Sequence, residues 1–254
     1  MRRLLTPTVV CLWLALACQN PSAKPASEHL TVFAASSLTE AFAELGEAFA
    51  RKEHSLPPKF AVAGSQSLRL QIEQGAQADV FASANGDHMS ALASSGIIAQ
   101  PEIFAYNELV LIVPKDNPAS IREFEDLPRA RRLVVGTPAV PIGMYTRELL
   151  RRAEHTFGRA FASSVRKHVV SEESNVRLVR AKVEMGEADA AIVYRTDATD
   201  RVQTIEIPAF LNVRAGYQIG LVGSEPTGLA KRWMLFISSP AGRTILARHG
   251  FATP

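Results

Sequence analysis

Hydrophobic and polar positions follow two rhythms along this chain, and the switches between them divide it into units. At 30–35 a run of apolar and β-branched residues, Leu30-Thr31-Val32-Phe33-Ala34-Ala35, reads as a strand. It stops on Ser36 and Ser37. Leu38, Phe42, Leu45 and Phe49 then recur at steps of four, three and four, one face of a helix. The same switch returns downstream. Residues 59–63 read as a strand, Gly64-Ser65-Gln66-Ser67 as its exit, and Leu68, Leu70 and Ile72 as a helix stopped by Gly75. Residues 78–83 form the next strand pattern, followed by a helix through His88, Met89 and Leu92 that Gly96 closes. Residues 109–113 are continuously apolar up to Pro114, the mark of a strand buried on both faces. Such β-α-β-α-β spacing predicts a parallel sheet with helices on both sides.

A second series of similar units follows. Residues 132–136 read as a strand, Thr137-Pro138-Ala139-Val140-Pro141 as a stiff turn and 143–152 as a helix. Residues 167–170 predict a strand, and Ser171-Glu172-Glu173-Ser174-Asn175 caps a helix carrying Val176, Val179 and Val183, which Gly186 ends. Another buried strand covers 188–194. After 202–207, residues 217–222 resemble a strand returning to the first unit, and two amphipathic helices, 228–236 and 241–248, finish the chain. Length alone leaves one large domain or two small ones open. The pattern of two similar halves predicts two α/β lobes joined by crossing strands. One lobe takes 30–108 and 213–254, and the other takes 109–212.

The first residues stand apart. Arg2 and Arg3 precede an apolar run that ends near Ala17 and is too short to span a membrane stably, so 1–17 reads as a signal peptide. Leu14-Ala15-Leu16-Ala17-Cys18 resembles the lipobox of bacterial lipoproteins, in which the cysteine is lipidated. An ordinary cleavage near Ala17 or Ala23 is the competing reading. The polar stretch 18–29 reads as a tether and favours the lipid-anchored form. Cys11 and Cys18 are the only cysteines, so the mature chain has no disulfide and no thiol ligand set. The formal charge of +3 includes both signal arginines. Without them little basicity is left to suggest a nucleic-acid partner.

Candidate chemistry sits where strands turn into helices. Ser37, Ser65, the Pro141-Ile142-Gly143 start and the Ser174-Asn175-Val176 start all lie at such junctions, and Tyr194 ends a buried strand. Serines there cap helices, and for any one junction that is the ordinary explanation. Taken together, the junctions offer backbone N–H groups and hydroxyls at positive helix ends, a cup of neutral donors suited to an anion. With no carboxylate acceptor in it, the cup favours a fully deprotonated anion. Catalytic signatures are missing: no G-x-S-x-G, H-E-x-x-H, Walker A or G-x-G-x-x-G occurs. The six histidines are scattered and read as surface or satisfied core residues. Glu172-Glu173 reads as a solvated helix start. Arg129, Arg131 and Arg132 read as a solvated turn, with a docking surface as the lesser alternative.

These residues resemble the molybdate-binding proteins of bacterial ABC importers over about 30–251. The resemblance is carried by Val32-Phe33-Ala34-Ala35-Ser36-Ser37-Leu38-Thr39, Gly64-Ser65-Gln66-Ser67-Leu68, Ala78-Asp79-Val80-Phe81, Asn175-Val176-Arg177 and Ile192-Val193-Tyr194-Arg195-Thr196-Asp197-Ala198. It implies a two-lobed type II periplasmic-binding-protein fold. Each lobe would be a mixed, mostly parallel sheet flanked by helices, and two crossing strands would form the hinge. It further implies that hydroxyl and amide groups of Ser37 and Ser65, the amides of Ile142 and Val176 and the Tyr194 hydroxyl hold the oxyanion. Molybdenum is thus held only through its oxygens. Ile142 departs from the family, where a smaller residue is common, and Ser36 is a second possible donor beside Ser37. The implied protein is a monomeric, non-enzymatic carrier without cofactors. It would bring molybdate or tungstate to a permease and its ATPase at the periplasmic face, tethered through Cys18. The rivals are a binder of another tetrahedral oxyanion such as sulfate, a serine-dependent hydrolase and an extracytoplasmic sensor.

Overall fold

Each rhythm change marks a turn from a sheet into a covering helix. The computed structural model describes residues 29–254; the expected signal segment, Cys18 and the tether through residue 28 lie outside the described residues. In chain order the strands are β1 (Thr31–Ala35), β2 (Lys59–Ala63), β3 (Val80–Ser83), β4 (Ile98–Asn107) and β5 (Leu109–Pro114), then β6 (Leu133–Gly136), β7 (Val169–Glu173), β8 (Ala190–Tyr194), β9 (Val202–Glu206) and β10 (Ala215–Val222). The helices are α1 (Thr39–Glu53), α2 (Ser65–Glu73), α3 (Gly86–Ser94) and α4 (Pro141–Phe157), then α5 (Arg159–Lys167), α6 (Val176–Glu184), α7 (Gly228–Ile237) and α8 (Pro240–Arg248).

The strands form two sheets of five, in the orders β2-β1-β3-β10-β4 and β7-β6-β8-β5-β9. In the first, β1 pairs in parallel with β2 and β3, and β10 runs antiparallel between β3 and β4. The second repeats the arrangement: β6 is parallel to β7 and β8, and β5 is antiparallel to β8 and β9. Four strands of each sheet therefore share a direction and one opposes them. The chain crosses between the sheets twice, from β4 to β5 and from β9 to β10.

Helix α1 shows why the stepping pattern works. Its Phe42, Leu45 and Phe49 are fully buried, and the Phe42 and Phe49 rings meet Trp233 of α7 edge-on at 5.8 and 5.2 Å. Each such side chain adds about 1.5–3 kcal/mol through burial. His54 closes the helix in the left-handed conformation, its N–H bonded to the Ala50 carbonyl.

Several expectations change. The 109–113 run is buried throughout, as its composition requires, but β5 is antiparallel to both neighbours, so continuous burial did not report strand direction. Strand β4 carries no clean alternation, being an edge strand with Pro101 in a solvent-facing stretch. The 167–170 strand begins later, at Val169, because 159–167 is a helix. Glu172 and Glu173 end that strand rather than starting a helix; Glu172 pairs with Arg147 at 3.0 Å. The arginine cluster is an exposed turn, as expected, but it is anchored from beneath. Asp189, mostly buried, accepts the backbone N–H groups of Arg131 and Arg132 and the Arg132 guanidinium.

Candidate functional site

The C-terminal ends of β1, β2, β6, β7 and β8 converge between the sheets, where open α/β sheets place their ligands. There the chain turns from β2 through Gly64 into α2, from β6 through 137–140 into α4, and from β7 through Asn175 into α6. Three helix starts thus face one small pocket, with the 3-10 turn Ser36–Leu38 after β1 as a fourth wall. Ser37, Ser65, Ile142, Val176 and Tyr194 all line it. No acid, lysine or arginine does. The first N–H groups of a helix have no partner within it, so Ile142 and Val176 present amides there.

Ser37 does not cap α1. The 3-10 turn comes between strand and helix, and neither start has a side-chain cap. Instead the Ser37 Oγ accepts the Tyr217 hydroxyl at 2.9 Å. The Ser65 Oγ accepts the Ala84 N–H at 3.1 Å. Each hydroxyl has one lone pair engaged and its proton left to donate. The expected cap on α6 is present, as the Asn175 side chain accepts the Leu178 N–H at 3.1 Å.

Tyr194 is 1% exposed, and its hydroxyl is buried without a hydrogen-bond partner. Such a group costs about 1–3 kcal/mol unless something pairs with it. Burial, reinforced by Tyr217 and Tyr145, pushes its phenol well above the usual range, so it remains a donor at any physiological pH. Tyr145 packs edge-on against Tyr194 at 6.2 Å, and burial pushes its own phenol up to about 12.

The two halves are closed around the pocket. Gln66 donates to the Ser174 carbonyl at 2.7 Å, Tyr145 donates to the Ala84 carbonyl at 3.2 Å, and Arg177 pairs with Glu40. The His88 Nε2 meets the Ala139 carbonyl at 2.9 Å, and burial holds this imidazole below its usual range, hence neutral. His88 is the satisfied core histidine expected, but it also links the lobes.

Tyr217 and Tyr145 had no local signal pointing to the pocket. Tyr217 reaches Ser37 across 180 residues of chain. Among the described residues no group of three or more His, Cys, Asp or Glu side chains could hold a metal ion, and no helix is long and apolar enough to cross a membrane.

Comparison with known proteins gives this geometry its context. Residues 30–252 match the family described as bacterial extracellular solute-binding protein. A Mycobacterium tuberculosis H37Rv protein named molybdate-binding protein ModA is 36% identical over 263 residues, covering 99% of this chain and 97% of that one. A Bacillus subtilis strain 168 protein named putative ABC transporter substrate-binding lipoprotein YvgL is 29% identical over 248 residues, covering 94% and 93%. The solved periplasmic molybdate-binding protein of Azotobacter vinelandii superposes with a TM-score of 0.77 at 19% identity, covering 89% of this chain and all of that one, a likeness of fold.

Proposed function

The chain belongs to the bacterial extracellular solute-binding proteins, within the molybdate-binding ModA group, and from that premise we propose how it works. It captures molybdate outside the cytoplasm and delivers it to an ABC importer, a permease with its ATPase. Tungstate, a tetrahedral dianion of the same kind, is a second cargo. Ser37 and Ser65 hold the anion from one lobe, and the Ile142 and Val176 amides with the Tyr194 hydroxyl hold it from the other. The carrier acts as a monomer, tethered through an acylated Cys18.

The observation that carries the reading is a lining rich in neutral donors and free of charged side chains. Two serines whose oxygens already receive a proton, a buried unpaired phenol and several helix starts converge with no charged side chain. Helix ends supply the positive potential. Their donors need no counter-charge, and a fully deprotonated oxyanion brings only acceptors. An oxyanion held from both lobes also stabilises the closed arrangement by its differential affinity. The hydrogen bonds of Ser37 and Ser65 run to Tyr217 and Ala84, so neither serine has the base a nucleophile requires. That supports a carrier over a hydrolase.

Calorimetric titration of the anion-free protein with molybdate, tungstate, sulfate and phosphate tests this. Tight binding of the first two and little of the others is expected. Ser37→Ala should weaken molybdate about 10- to 100-fold, the usual worth of a hydrogen bond to a charged group. Sulfate binding as tightly as molybdate overturns the assignment, and an unchanged affinity in Ser37→Ala misplaces the pocket. In the same preparation from membranes, an acylated N-terminal Cys18 should appear as added mass; an unmodified N-terminus removes the tether.

A further inference from the structure

The two serines of the pocket are held by different means. A backbone amide, Ala84 N–H, points at the Ser65 oxygen, and an amide can only donate. At Ser37 the corresponding place is taken by a phenol on the returning strand β10, with the Tyr217 hydroxyl 2.9 Å from Oγ. Nothing in the fold obliges a tyrosine to be there, since Tyr217 lies on the apolar face of β10 among aromatic rings. Its ring is fully buried and meets Phe251 at 5.4 Å, Tyr194 at 5.6 Å and Phe104 at 6.4 Å, all edge-on. Three rings therefore fix where its oxygen sits, and a phenylalanine would fill the same space. The hydroxyl is what the packing does not need.

We propose that Tyr217 is a positioning residue of the anion site: its hydroxyl makes Ser37 a one-way donor and so discriminates against protonated oxyanions. This rests on the proposed reading of the pocket as an oxyanion site holding its ligand through Ser37. A serine hydroxyl left alone rotates and both donates and accepts. With the phenol proton on its oxygen, Ser37 directs its own proton to the pocket, and a donor at the oxygen strengthens the bond made at the hydrogen. An oxyanion that keeps an O–H, such as hydrogenphosphate, must find an acceptor for that proton. The oxygens of Ser37, Ser65 and Asn175 each already receive a donor from the protein. The phenol keeps its proton because burial, and the nearby Asp197 after it, push its pKa well above the usual range against the opposing hydrogen bonds of Ser37 and Asn107.

The test is a double-mutant cycle over Tyr217→Phe and Ser37→Ala, read by calorimetry with molybdate and by phosphate competition against it. Tyr217→Phe should weaken molybdate about tenfold and leave phosphate no weaker, so that the ratio between them narrows about tenfold. In the Ser37→Ala background the same change should have almost no effect on either anion, because Tyr217 acts only through Ser37. Its unliganded melting temperature should stay close to that of the parent, since the ring packing is retained. Parallel loss for both anions, or an equal loss with and without Ser37, overturns the proposal and leaves Tyr217 a packing residue. An unchanged molybdate affinity in Tyr217→Phe does the same. A parent protein that binds no molybdate would instead remove the underlying assignment, and the two failures are told apart by the parent titration.

Discussion

At the scale of single residues, Asp197 carries the sharpest consequence. It follows β8 in a short 3-10 turn, is 3% exposed, and one carboxylate oxygen has no hydrogen-bond partner. Burial pushes its carboxyl up to about 7, against the opposing pull of Arg180 and Arg177 and with Glu40 adding to the rise. In the unfolded chain the same group ionises near 3.9. Below about pH 4 both states hold the proton and the residue costs nothing. Between about 4 and 7 the folded state alone keeps it, so stability falls as pH rises, and above 7 the full cost remains. Asp197→Asn cannot ionise. Its melting temperature should exceed the parent's by about 5 °C more at pH 8 than at pH 5, read by thermal unfolding at both. An equal difference at the two pH values would show that the carboxyl titrates normally. Ser37 teaches the complementary lesson. A serine at a strand end is legible as a donor, but whether it serves a helix or a ligand depends on the turn and partner it meets.

At the scale of elements, helix starts matter more than helix bodies. Helix α4 begins on Pro141, and a Cβ added at Gly143 would lie 2.1 Å from the Thr137 carbonyl and 2.4 Å from that of Gly136. The first turn of α4 thus rests directly on the turn that leaves β6, and this contact sets where the Ile142 amide points. Gly143→Ala should cost about 1–3 kcal/mol in chemical denaturation through overpacking and weaken molybdate binding as well. Stability and affinity both unchanged would show that the contact gives way freely. Elements with one strong face were legible: α1 from Phe42, Leu45 and Phe49, and β5 from its unbroken apolar run. Helix α5 is amphipathic but only nine residues long, follows α4 directly after Gly158 and buries only Ala162 and Val165, and β4 is an edge strand exposed over its middle, so neither stands out as a separate unit.

At the scale of the whole molecule, the question is what lets the lobes meet. Gly64 begins α2 with ordinary backbone angles, φ −63° and ψ 140°, so no strain demands glycine. A Cβ there would lie 2.4 Å from the Ser174 carbonyl, a backbone atom of the opposite lobe. The absent side chain is therefore a requirement of closure, not of folding. Gly64→Ala should keep its unliganded melting temperature within about 2 °C of the parent. Its molybdate affinity should drop at least tenfold, and small-angle scattering with saturating molybdate should fail to show the parent's compaction. A variant that closes and binds as the parent does would show that the lobes meet differently. Gln66, His88, Tyr145 and Arg177 act at the same scale, each joining one half of the chain to the other.

The local pattern along the chain was enough to establish alternating strands and helices in two similar halves. It also established neutral donors at the junctions and no readable catalytic base. These are properties of neighbours in sequence, where side-chain period and turn chemistry act over a few residues. Which junctions face one another was decided by the sheets. The reversed strands β5 and β10, the link from Tyr217 to Ser37 and the fit of Gly64 against Ser174 depend on residues about 80–180 positions apart. No short-range rhythm encodes those contacts: β5, β10 and Tyr217 find their partners only when each lobe folds, and Gly64 meets Ser174 only when the lobes close.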